Sequence, residues 1–174
     1  TLKRFRDMGV TNVLVRSVKP EETQQSSSTS MMSVLGYGLL YPEADRIQNL
    51  LPQATVVRVR EFQRGMMHGE YWCSKMVVGT EVAFLEVTNM KVAEGRWLVE
   101  LDMQKQENVC VLGASLAKTL FPLENPIGQT VLVGIEDRFQ VIGVLEEQGR
   151  AASPNGFTLD ECAFIGDDLP DLGV

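Results

Sequence analysis

His68, the chain's one histidine, stands in the run Met66-Met67-His68-Gly69, five positions ahead of Cys73. An imidazole and a thiol are the parts of a nucleophile–base pair, with a distant serine as the other partner on offer. Nothing in the spacing orients the ring toward either, so His68 reads as a turn histidine without a catalytic task. Cys73 also follows Tyr71-Trp72, whereas a reactive thiolate needs an electropositive, partly exposed setting. Metal chemistry is served no better. Cys73, Cys110 and Cys162 are an odd number at wide spacing, with neither a CxxC nor a zinc pattern around them. Asp160, Glu161, Asp167, Asp168 and Asp171 lack the loop of a calcium hand and read as a solvated acidic tail. The expectation is a chain with no catalytic, cofactor or metal site.

Three other groups have the right types for binding. Gly113-Ala114-Ser115 marks a strand-to-helix turn whose N–H groups are able to hold an anion, but without GxGxxG or GxxxxGK[ST] spacing it reads as a tight turn. Arg58, Arg60 and Arg64 fall on one face of an expected strand, toward an acidic partner or plain solvent. Trp97, Tyr71 and Trp72 are as suited to anchoring an interface as to filling a core.

The elements that must carry these residues come from a chain of 174 residues, 44% hydrophobic and 22% charged. That composition suits one globular domain, or two small lobes sharing part of a core. Sixteen Lys and Arg against 23 Asp and Glu leave a net charge of −7, which works against a nucleic-acid partner held through phosphates. The longest apolar stretches, Val131 to Ile135 and Val141 to Leu145, fall far short of the roughly 20 residues a membrane helix needs. The chain starts at Thr1 without a Met or a leader pattern, so Thr1 is expected to be a cut point in a longer parent.

Lys3 to Met8 before Gly9 reads as the end of a helix, and Thr11 to Val18 as a strand. Residues 21–33, polar and without periodicity, are expected to form a flexible loop. Pro42, Ala44, Ile47 and Leu51, stopped by Pro52, predict a short helix with one buried face. Ala54 to Phe62 alternates valine and arginine and pairs with Tyr71 to Val78 across a turn placed around Gly65 to Gly69. Val82 to Val87 is open between helix and strand, with helix preferred. Val109 to Leu112 predicts a strand buried on both faces, and Ala114 to Phe121 a helix stopped by Pro122. Gln129 to Val133, Arg138 to Leu145 and Glu161 to Ile165 complete seven or eight strands beside three or four short helices. The fold class is α+β, since strands and long helices do not alternate regularly.

One ordered set of segments adds to this: Val92-Ala93-Glu94-Gly95-Arg96-Trp97-Leu98, Val109 to Gly113, Leu116 to Pro122, Asn125-Pro126-Ile127-Gly128-Gln129-Thr130 and Phe139 to Leu145. In order and spacing it resembles the extracytoplasmic core domain of MacB-type, FtsX-like ABC transporter permeases. Gly9 to Val15 is similar to that family's first strand, so the resemblance runs through most of the chain. Its signature residues here are Gly95, Arg96, Gly113, Leu120, Phe121, Pro122, Pro126, Gly128 and Gly143, each with a structural reading. The glycines fall at element boundaries, Leu120-Phe121 fills a core, and Arg96 stacks on an aromatic surface or bonds loop carbonyls.

The resemblance implies a mixed α/β membrane-near lobe, residues 1–65 with about 145–174, and a smaller β-rich distal lobe, about 66–144. It implies a non-enzymatic domain on the periplasmic face of the inner membrane, flanked by transmembrane helices of the parent. ATP would be hydrolysed by a separate domain or subunit. The domain would transmit that motion and contact substrate or a periplasmic adaptor in efflux, export or lipoprotein release, beside a second permease copy. Residues 21–33 and the early stop after Ile165 depart from the family pattern. The alternative function is a free-standing soluble binding or regulatory module of the cell envelope, and a third reading is a thiol enzyme using Cys73 and His68.

Overall fold

The computed structural model describes residues 13, 15, 41–149 and 158–166. The expected N-terminal helix, most of the strand Thr11 to Val18 and the loop 21–33 lie outside them. Val13 and Val15 are exposed irregular backbone. The chain divides into two compact units, Thr1–Val56 and Val57–Val174.

In the first unit, α1 (Tyr41–Leu50) begins and ends where the prolines predicted. Its buried face is thinner than expected, because Ala44 and Ile47 are half-buried while Leu51 is exposed. Gln48 stitches the following turn to the helix, donating to the Ala54 carbonyl at 2.9 Å and accepting from Val56 N–H at 3.2 Å.

The second unit is built on a seven-stranded sheet: β1 (Val59–His68), β2 (Tyr71–Thr80), β3 (Val92–Gly95), β4 (Val109–Leu112), β5 (Thr130–Val133), β6 (Asp137–Leu145) and β7 (Ala163–Gly166). Its order is β3-β6-β4-β7-β2-β1-β5, and β5 also pairs with β6, so six strands close into a ring with β3 appended. Between the strands lie α2 (Phe84–Thr88), α3 (Glu100–Gln104), α4 (Ala114–Leu120) and a 3₁₀ turn at Leu159–Glu161.

The ring explains why there are two cores. Inward side chains such as Met66, Val77, Cys110, Val131, Phe139 and Ile165 pack with Leu116, Leu120 and Phe121 of the α4 segment. The opposite face of the same strands, through Val78, Val111 and Phe164, packs with Phe84, Trp97 and Met103 beside α2 and α3. β4 is buried along its whole length, as its unbroken apolar run predicts. In β6 the register slips by one residue against Cys110/Val111. The extra residue, Ile142, reverses the alternation, so that Phe139 and Val141 face the first core while Leu145 faces the second.

The hairpin is longer than its sequence pattern shows. The β1–β2 ladder runs from Val59↔Thr80 to His68↔Tyr71, leaving Gly69-Glu70 as a two-residue turn. The turn expected at Gly65 to Gly69 is therefore mostly strand. The arginine face is corrected too. Arg60 and Arg64 are half-buried, on the side of Phe62 and Met66, with the Arg64 guanidinium 5.4 Å from the Phe62 ring centre. Arg58 precedes the strand and pairs with Glu81 at 3.5 Å. Phe62 and Met66 decide the inward parity, and a shift of one residue reverses every side chain. The final strand also starts later than expected, because Leu159–Glu161 forms the 3₁₀ turn.

Candidate functional site

Gly95 and Gly143 are partners in the β3–β6 ladder, and their strands approach so closely that neither position has room for a side chain. A Cβ on Gly143 would strike the Arg96 carbonyl oxygen, and one on Gly95 the Ile142 carbonyl oxygen. The Arg96 N–H donates to that Ile142 carbonyl at 2.9 Å. The approach aims the Arg96 guanidinium at α3. There Nη1 donates to Asp102 Oδ2 at 2.6 Å and Nη2 to Asp102 Oδ1 at 2.8 Å, a two-pronged pair. Nη1 also donates to the Trp97 carbonyl at 3.1 Å.

Arg96 thus bonds a loop carbonyl as expected, but its main partner is a carboxylate that the sequence reading missed. Asp102 is 5% exposed and also accepts the Val99 N–H at 2.9 Å, as the acid of a capping box does at the third helical position. That acid three residues after Val99 was the available signal. The hydrogen bond from Arg96, more than any other cause, holds the Asp102 carboxyl below its ordinary range, and the same bond raises Arg96.

The other signature residues have equally local tasks. Gly113 N–H donates to the Cys162 carbonyl at 2.8 Å, and the Leu159 and Asp160 carbonyl oxygens would lie 2.5 Å from any Cβ there. Gly113 N–H is thus already bonded and carbonyl oxygens crowd its Cα, the geometry of a tight turn. Leu120 and Phe121 are core, and exposed Pro122 follows the helix. Gln129 N–H closes a turn onto the Pro126 carbonyl at 3.1 Å, with Gly128 third in that turn at φ +83°, the left-handed value a type II turn requires.

The residues singled out for chemistry scatter. His68 ends β1, where Nδ1 lies 2.8 Å from the Thr130 carbonyl and Nε2 2.8 Å from Glu124 Oε1. It is a bonded strand residue and not an idle turn histidine. Cys73, Cys110 and Cys162 are free and buried. Burial raises the Cys73 thiol and pushes Cys110 and Cys162 up to about 12. A thiol that keeps its proton is a poor nucleophile. Asp160 is buried and accepts the Gln148 N–H at 2.8 Å, and Glu161 pairs with Lys75 at 3.0 Å. These two therefore do not belong to a solvated tail; Asp167, Asp168 and Asp171 lie outside the described residues. Among the described residues, no group of His, Cys, Asp and Glu is placed to hold a metal ion.

The aromatic alternatives part company. Trp97 is core, packed on Phe84 and Phe164 with Nε1 donating to the Val82 carbonyl at 3.0 Å. Trp72 is 67% exposed. It stands opposite Met67, Met67 opposite Leu132, and Leu132 opposite Arg138. Trp72, Met67 and Leu132 thus form an apolar row across β2, β1 and β5 on the outside of the ring. The indole lies across Gly65, 3.2 Å from where a Cβ would be.

A closed ring of short strands, a glycine-enforced β3–β6 contact and an ion-paired arginine beside it describe a structural module with an outward apolar row. The sequence model described as "MacB-like periplasmic core domain" matches residues 2–166. The chain belongs to that family: it is the periplasmic core domain of a MacB-like ABC transporter permease, a non-catalytic domain on the periplasmic side of the inner membrane.

Among its relatives is the macrolide export ATP-binding/permease protein MacB of Syntrophobacter fumaroxidans, 39% identical over 101 residues, covering 58% of this chain and 14% of that protein. Another is the pyoverdine export ATP-binding/permease protein PvdT of Pseudomonas savastanoi pv. phaseolicola, 36% identical over 101 residues, covering 57% and 15%. The matched segment is thus about one seventh of the length of these relatives. The fold is similar to the extracellular domain of the noncanonic ABC-type transporter YknZ from Gram-positive bacteria, with TM-score 0.63 at 17% identity, covering 75% of this chain and 63% of that one. It is also similar to the periplasmic region of MacB from Actinobacillus actinomycetemcomitans, with TM-score 0.57 at 22% identity, covering 71% and 55%. No helix among the described residues is long and apolar enough to cross a membrane.

Proposed function

We propose that this domain transmits ATP-driven conformational change from the parent permease to an export partner, and that the row Trp72–Met67–Leu132 is where it touches a periplasmic adaptor or substrate. The carrying observation is that row. Trp72 and Met67 are exposed with half-buried Leu132 beside them, and the row is mounted on the β1–β2 hairpin and β5, which the ring holds in place, so a displacement of the sheet moves the row with it. The names of the relatives, export ATP-binding/permease proteins, support an export role with ATP hydrolysed outside this chain and with membrane helices flanking it. The nine signature residues act in this reading as fold determinants. A second permease copy completes the transporter.

The test is a photo-crosslinking residue at position 72 in the whole permease, co-expressed with its adaptor, alongside export by a Trp72→Ser/Met67→Ser variant. The expected result is a crosslink to adaptor or substrate and a loss of export at unchanged expression. Full export by the double variant would overturn the assignment of the row.

A further inference from the structure

His68 is held at both ring nitrogens, and both partners are acceptors. The Thr130 carbonyl, 2.8 Å from Nδ1, has no proton to give. The Glu124 carboxylate, 2.8 Å from Nε2, has none once ionised. A neutral imidazole carries one N–H, so it satisfies one contact and turns a lone pair toward the other oxygen; the imidazolium satisfies both. The ring is further seated on Phe121, with centroids 4.2 Å apart.

What the ring grips is the connection from α4 to β5, which leaves the helix at Phe121 and enters the strand at Thr130. The geometry points to a proton-operated latch: charged His68 fastens the Phe121–Thr130 segment to the tip of the β1–β2 hairpin, and neutral His68 releases it at Glu124.

The surroundings determine what moves. Glu124 is the carboxylate facing the ring, and its other oxygen takes a long bond of 3.5 Å from Gln129 Nε2. Tyr71 stands across the ladder from His68, and Glu70 sits in the adjoining turn. The far end of the segment stays pinned whatever the charge on the ring, because Gly128 N–H donates to the Val141 carbonyl and Val141 N–H to the Gln129 carbonyl, each at 2.8 Å. Asn125 belongs to that pinned end, its Oδ1 accepting the Ile127 N–H at 2.8 Å and its amide donating to Glu94 at 3.2 Å. Release therefore frees Pro122 to Glu124, exposed Leu123 among them, and leaves β5 in its ladder. The moving piece lies at the tip of the hairpin that carries Met67 and Trp72. A domain on the periplasmic side meets the pH of the envelope, so the latch would couple this surface to that pH.

The test uses the full 174-residue chain, in which His68 is the single histidine, so its ring signals need no assignment by mutation. Long-range proton–nitrogen spectra across pH report each ring nitrogen, and backbone amide shifts of residues 123–125 and 127–130 report the segment. The expected result is a doubly protonated ring wherever the segment shows its latched shifts, with ring and amides titrating at one midpoint. Glu124→Gln supplies an amide able to donate to a neutral Nε2. In that variant the amide shifts of 123–125 should lose their dependence on the ring, as they should in His68→Gln. A ring that titrates while these amides stay still, a neutral ring in the latched segment, or an unchanged amide titration in Glu124→Gln would each overturn the latch.

Discussion

Removing the guanidinium at Arg96 tests the central contact of the β3–α3 region. In Arg96→Ala the Asp102 carboxylate, 5% exposed, loses two charge-assisted bonds of 2.6 and 2.8 Å and keeps the Val99 N–H. Breaking a fully buried pair costs about 3–5 kcal/mol, but the Arg96 side chain is 48% exposed, so solvent screens part of the attraction. The remaining Val99 bond lowers the cost further. The expected loss is about 2 kcal/mol, or about 4–8 °C in Tm for a chain of this size.

The pH dependence has a defined sign. Asp102 has a folded value below its ordinary 3.8, so the pair's contribution is complete above that value and fades as pH falls through the lower folded one. The gap between wild type and Arg96→Ala should be full at pH 7 and shrink below about pH 4. Arg96→Lys should recover only part of it, since an ammonium cannot form the fork. Denaturant melts of wild type, Arg96→Ala, Asp102→Asn and the double variant from pH 7 to pH 3 supply the measurement. A loss under about 0.5 kcal/mol, or a gap that does not change with pH, would refute the reasoning.

Gly143→Ala should cost about 3 kcal/mol, at the top of the overpacking range, because its Cβ meets the Arg96 carbonyl oxygen; a melt midpoint within 2 °C of wild type would contradict the close approach. Cys110, with its thiol pushed up to about 12, holds on the order of 10⁻⁴ thiolate at pH 8, so a maleimide should label it only after denaturant is added. The two tryptophans should separate by acrylamide quenching: exposed Trp72 is quenched and buried Trp97 is protected, with Trp72→Phe abolishing the quenchable emission. Trp97→Ala should cost about 3–5 kcal/mol, whereas Trp72→Ser should stay within about 1 kcal/mol, as urea melts will show.

Sequence periodicity determined much of this molecule, because local patterns report local burial. The apolar run Val109 to Leu112 and the helix from Ala114 lie where the pattern placed them, and α1 has Pro42 in its first turn and Pro52 just past its end. The ordered glycine, arginine and proline segments also marked the family, since each answers to a turn or a close approach within a few residues. Tertiary structure alone decided what depends on distant partners. The face taken by Arg60 and Arg64 follows from where Phe62 and Met66 enter the core, and the bulge at Ile142 follows from the fit of β6 against β4. The partner of His68 was hidden for the same reason, while that of Arg96 lies six positions away and left only the weak signal of an acid three residues after Val99. Asp102 is brought to Arg96 by a helix too short to show a period, and Glu124 stands 56 positions from His68, a distance closed only when β5 joins β1 to β6 and completes the ring.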